Sequence, residues 1–99
     1  MVTIDFETEA IIGAGKPPKP VGVAIKVAGG KGKYMAWGHP VGNNCTVEEA
    51  GRVLKGLWGG PLLFHNAAFD LSVAQAHFGL PTPCFHDTLF TLFLVDPHK

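Results

Sequence analysis

Charge is scarce in this sequence. Lys, Arg, Asp and Glu make up 16% of its 99 residues, against about 25% in an average soluble domain. They also cancel to a net charge of zero. That balance excludes a uniformly basic, histone-like partner of nucleic acid. Lys and Arg are missing altogether between Gly60 and His98, where the only Asp or Glu side chains are Asp70, Asp87 and Asp96. Acids are missing in turn from the stretch that holds Lys16, Lys19, Lys26, Lys31 and Lys33. A basic strip set against an acidic segment suits a protein that holds a polyanion and a metal ion. Cysteine is limited to Cys45 and Cys84, in no metal-binding spacing, which fits two free thiols in a reducing, cytoplasmic compartment. Long apolar runs are also lacking. Leu89 to Val95 is interrupted by Thr91 and is far short of the ~20 residues that cross a bilayer, so no membrane partner is expected. No leader pattern precedes the first strand-like segment. Thirteen glycines and eight prolines stay below the roughly 25–30% of a low-complexity chain.

What is present reads as one small domain. Val2-Thr3-Ile4-Asp5-Phe6-Glu7 alternates strictly and predicts a half-buried strand. Residues 13–20 are rich in Gly, Pro and Lys and predict a loop. Strands follow over Val21–Ala28 and Lys33–Trp37, joined by a glycine turn, giving an antiparallel three-strand meander. Thr46-Val47-Glu48-Glu49 is a capping box, in which hydroxyl and carboxylate satisfy each other's orphan amides. The helix behind it carries a stripe of Val47, Ala50, Val53, Leu54 and Leu57 and stops at Gly59-Gly60. Pro61 to His65 is a nearly continuous apolar run, as expected of a strand buried on both faces. Asn66 is placed to cap the next helix, which runs to Phe78 with a stripe of Phe69, Val73 and Ala76 and ends at Gly79. A short strand follows. Asp87 then caps a final helix, Thr88–Val95. The fold class is α/β: a mixed sheet of meander plus parallel strands, with flanking helices around one core.

Two clusters carry chemistry. Asp5 and Glu7 lie two apart on a strand, so their Cβ atoms share a face ~6.6 Å apart. Asp and Glu are poor strand formers, yet they interrupt an otherwise good strand. Carboxylates at that spacing can flank hard divalent ions, which two-metal sites hold ~3.5–4 Å apart. The second cluster is His65-Asn66-Ala67-Ala68-Phe69-Asp70. It falls just past a strand's carboxyl end, where open α/β sheets place their ligands. Taken alone, Asp70 is explained equally well as a first-turn acid that complements the helix dipole.

Together the clusters resemble a known family. Thr3-Ile4-Asp5-Phe6-Glu7-Thr8 followed by Asn66-Ala67-Ala68-Phe69-Asp70 is similar to the first two motifs of the DEDD 3′–5′ exonucleases. His86-Asp87-Thr88-Leu89 and Leu94-Val95-Asp96-Pro97 further resemble the proofreading exonuclease domain of family A DNA polymerases, phage enzymes included. The resemblance implies a ribonuclease-H-like fold and two Mg²⁺ or Mn²⁺ ions at the terminal phosphodiester of a DNA or RNA 3′ end. It assigns Asp5 to both ions, Glu7 to the ion that activates water, and Asp70 to the ion beside the leaving oxygen. It places Ile11 as an apolar wedge against the terminal base and Asn66 beside the strand. The lysine-rich loop, with Lys16 and Lys19, would touch phosphates without reading sequence. A fused or associated polymerase, and a cytoplasmic or phage-in-host location, are the corresponding expectations.

The family has a third motif that this chain does not contain: a last metal-binding Asp with a Tyr or His that orients the water. Residues 1–99 are therefore expected to be an exonuclease-like domain truncated before that motif, C-terminally incomplete, with weak or no hydrolysis of its own. A second expectation belongs to another class. The chain would be a non-catalytic module of the same fold that binds single strands or a protein, its carboxylates being relics.

Overall fold

The computed structural model describes residues 1–10 and 16–88. Five strands and two helices follow in the order β1 (Val2–Thr8), β2 (Pro20–Val27), β3 (Gly32–Ala36), α1 (Val47–Leu57), β4 (Leu62–Phe64), α2 (Ala67–Phe78) and β5 (Phe85–Asp87). They form one α/β sheet of order β3-β2-β1-β4-β5. The meander is antiparallel, and β1, β4 and β5 run parallel. The strand connections explain this directly. Turns return the chain antiparallel, whereas parallel neighbours need a helical crossover, which α1 and α2 supply.

Alternation along β1 and β2 sends Ile4, Phe6, Val23 and Ile25 into the core. Leu62 and Phe64 join them there, under Ala50 and Leu54 of α1, Trp58 just after it, and Ala67, Val73 and Ala74 of α2. Both helices thus cover one face of the sheet. The strand register assigns the other face to Thr3, Asp5 and Glu7 of β1, to Gly22, Ala24 and Lys26 of β2, and to Tyr34 of β3. Buried leucine- or phenylalanine-sized side chains are each worth about 1.5–3 kcal/mol, so burial under the helices dictates which way β1 faces. A slip of one residue would put Asp5 and Glu7 in the core.

The capping box at Thr46 is present in full: Glu49 N–H donates to Thr46 Oγ1 at 3.1 Å, and Thr46 N–H donates to Glu49 Oε1 at 3.0 Å. Gly79 closes α2 in the left-handed region, at φ 65°, where glycine pays no Cβ penalty. Trp58 Nε1 donates to the Pro81 carbonyl at 2.7 Å and ties α1 to the proline-rich connector.

The helix stripes need correction. Val47 and Ala76 are exposed, whereas Phe69, half-buried, packs against the core as expected. The inward face of α2 is instead Ala67, Asp70, Val73 and Ala74, a set that includes a charged residue and so escapes a search for apolar periodicity. Leu63 is only partly covered, because it lies on the face without helices. Phe85 is exposed and is not a core residue. Asp87 ends β5, and its carboxylate turns back to α2. The rest of the expected last helix, and Ile11, lie outside the described residues. Among the described residues no helix is long and apolar enough to cross a membrane.

Candidate active site

The site begins where β4 stops. Val2 N–H donates to the Pro61 carbonyl, so the even-numbered amides of β1 face β4. By that period the Phe6 amide falls opposite His65, one residue past the end of β4, and has no strand partner. The Asp70 carboxylate takes its place: Phe6 N–H donates to Asp70 Oδ1 at 3.0 Å. A buried amide must find an acceptor, and α2 begins immediately after the β4 turn, which brings Asp70 to it. Asp70 is 2% exposed. Its backbone partner is the residue between Asp5 and Glu7.

The electrostatics agree with this placement. The Asp70 carboxyl is pushed up to about 6. Burial is the main cause. The Phe6 amide pulls it down, Asp5 raises it, His65 lowers it and Asp87 raises it again. Asp5 and Asp70 therefore feel each other as neighbouring like charges. Asp5 itself is exposed on the open face. Beside it runs a groove of roughly 360 Å³ lined by Thr3, Lys26, Lys33, Tyr34 and His65.

Glu7 leans the other way. The β1–β2 register breaks between Glu7 and Thr8, a bulge of the kind that re-aims side chains. The Tyr34 hydroxyl, on β3, donates to Glu7 Oε2 at 2.9 Å. To do so it crosses β2 over Gly22, where any Cβ would overlap the phenol. His39 Nε2 lies 2.7 Å from the Tyr34 oxygen and 3.9 Å from Glu7 Oε2. Since the phenol proton goes to Glu7, the imidazole N–H donates to the phenol oxygen. The Tyr34 hydroxyl is pushed up to about 12, by burial first and then by the hydrogen bond to Glu7 and its charge. Tyr34 and His39 carry no motif, and reading the residues in order passes over them. The signal that could have found them is a mid-strand glycine next to the row of the chain's one tyrosine, since such a glycine marks close approach.

The remaining expected residues are distributed as follows. Asn66 occupies the N-cap position of α2 but makes no side-chain cap. Asp87 takes that role, accepting Ala67 N–H on Oδ2 at 3.1 Å. The final helix that Asp87 is also expected to cap lies outside the described residues. His65 Nδ1 meets Thr88 Oγ1 at 2.8 Å, past the strand end and turned to a hydroxyl. Lys16 and Lys19 are exposed. Lys19 lines a different cavity, of roughly 480 Å³, with Trp37, Cys45, His77 and Phe78. Both cysteines are free thiols. Asp70 thus feels the charge of Asp5, while Glu7, on the same face as Asp5, is turned to Tyr34. Among the described residues no three His, Cys, Asp or Glu side chains close round a single point. The chain matches no protein-family model and no curated protein sequence.

Proposed function

We propose that this chain carries the first two acidic motifs of a metal-dependent 3′–5′ exonuclease of ribonuclease-H-like fold, which removes nucleotides from a DNA 3′ end. The observation that carries this reading is the Phe6 amide on Asp70. It ties the second acidic motif to the first across the carboxyl end of the central strand. The strand order, with Asp5 and Glu7 on the middle strand, supports the same reading.

The donor chemistry fits Mg²⁺ or Mn²⁺. The three carboxylates offer hard oxygens only. Asp70 is raised chiefly by burial and further by the charges of Asp5 and Asp87, and a cation would offset those charges. Asp5 and Asp70 would hold one ion, and Asp5 and Glu7 the other. Bound there, the ions supply water activation and neutralise charge on the departing oxygen. The chain's own residues do the positioning. The Phe6 amide fixes Asp70, the strand fixes Asp5, and Lys26 and Lys33 beside the groove are placed to meet phosphates.

Calorimetric titration with Mn²⁺ tests this. Binding that is lost in Asp70→Asn and in Asp5→Asn supports the proposal. No binding, or binding indifferent to both variants, overturns it and favours the module with relic carboxylates. Hydrolysis of a 3′-end-labelled strand, measured alongside, is expected to be weak.

A further inference from the structure

We infer that Tyr34, braced by His39, is a positioning residue that holds the Glu7 carboxylate for its ion. The inference rests on the exonuclease reading above. Glu7 is a strand-end glutamate whose side chain is 63% exposed, and an exposed glutamate ordinarily samples many rotamers. Three features act against that freedom. First, Gly22 sits in the middle of β2, where glycine weakens a strand. Its missing Cβ is the space that the Tyr34 hydroxyl fills. Second, the phenol has one proton and it goes to Glu7 Oε2, at 2.9 Å, while His39 Nε2 supports the phenol oxygen from behind at 2.7 Å. Third, the backbone of His39 is itself clamped. Its backbone N–H donates to Asn43 Oδ1 at 2.9 Å, and Asn43 Nδ2 donates to the His39 carbonyl at 2.8 Å. Asn44 Nδ2 holds the Tyr34 carbonyl at 2.7 Å.

The imidazole and the phenol thus form a short chain of donors that ends on one oxygen of Glu7, carried on backbone that Asn43 and Asn44 hold. With Oε2 held, Oε1 is the oxygen left to meet an ion, and it is presented with little rotational freedom. Partners of this kind orient metal-binding carboxylates, and their removal costs about 10–100-fold in metal affinity. A purely structural tyrosine would need only its ring over Gly22. The directed hydroxyl is what distinguishes the two roles.

The test is Mn²⁺ titration of the whole chain, with circular dichroism to confirm folding. Tyr34→Phe keeps the ring and removes the donor, and is expected to weaken Mn²⁺ binding about tenfold. In a Glu7→Gln background the same change is expected to add nothing, because the two residues act as one unit. His39→Ala, which leaves the phenol but removes its support, is expected to give a smaller loss of the same kind. If Asp70→Asn abolishes binding yet Tyr34→Phe and His39→Ala leave it unchanged, the positioning role is overturned and the exonuclease reading stands. The positioning role fails likewise if Tyr34→Phe costs as much with Glu7→Gln as without it. If the unaltered chain binds no Mn²⁺, both fall.

Discussion

Asp70 Oδ1 accepts the Phe6 amide hydrogen at 3.0 Å, across a separation of 64 residues. This bond does two jobs. It satisfies the first β1 amide that β4 is too short to reach, and it holds a carboxylate beside Asp5 in a place where burial penalises its charge. Structure and electrostatics are therefore coupled at one atom.

That coupling gives a signed pH dependence. The Asp70 carboxyl rises from its ordinary 3.8 to about 6 in the folded chain, so ionising it opposes folding. Its favourable contribution is complete below about pH 4 and is lost as pH rises through 6. Asn at this position keeps an oxygen for the Phe6 amide and carries no charge. Asp70→Asn is therefore expected to be more stable at pH 7, by about 1–2 kcal/mol, a value discounted for the solvent that still screens part of the side chain. The difference is expected to vanish near pH 4. Urea denaturation at the two pH values checks this. Added Mn²⁺ is expected to reverse the order, by stabilising only the unaltered chain.

Tyr34 is the chain's single tyrosine, so ultraviolet absorbance reports its ionisation alone. In the folded chain the phenolate is expected to form near pH 12, against an ordinary 10.0. Burial, the Glu7 hydrogen bond and the Glu7 charge all oppose the phenolate. Glu7→Gln removes the charge, and is expected to bring the midpoint back toward 10. A midpoint that stays near 12 in that variant would mean that Glu7 contributes nothing and burial alone sets the value.

Much of this architecture is legible in the residues. Alternation in Val2–Glu7 locates β1 and its polar face, because one face of the sheet is buried and the period of two leaves no choice. The capping box locates α1, and Gly79 ends α2. The parts that are not legible depend on long-range contacts. Asp70 points inward because an amide on a distant strand lacks a partner, and no helical period encodes that. Ala76 is apolar enough for the core, yet Asp70 and Ala74 occupy the inward face. Tyr34 is in register with Ala24 and reaches Glu7 diagonally, over Gly22, the register partner of Glu7, which becomes visible once the three strands are paired. Asn66 has the composition of a cap, but a carboxylate from β5 takes the amide instead.

The cap of α2 can be assigned by comparing two variants. Asp87→Ala removes the acceptor of the Ala67 amide, and is expected to destabilise the chain by about 1–2 kcal/mol, the usual cost of losing an N-terminal cap. Asn66 makes no such bond, and Asn66→Ala is expected to cost no more than about 0.5 kcal/mol, as for a surface change. Thermal or urea unfolding separates the two. Equal losses would mean that the Asn66 side chain caps the helix after all.

The groove beside Asp5 makes Lys26 the informative lysine for strand binding. Lys26 pairs with Thr3 across β1 and β2, two positions before Asp5 on the same face. A lysine side chain there reaches along the groove, whose lining includes Lys26, Lys33 and Asp5. A strand with one phosphate near Asp5 would bring its neighbour toward Lys26. Each phosphate contact releases counterions, so its loss lowers the salt dependence of single-strand affinity by about 0.7 in the logarithmic slope. Lys26→Ala is expected to show that drop in fluorescence anisotropy of a labelled oligonucleotide over a range of salt concentrations. Lys19 lines the cavity with Trp37 and His77 instead, and Lys19→Ala is expected to leave the slope unchanged. The opposite pattern would move the strand's path to the loop before β2, and away from the face that carries Asp5 and Glu7.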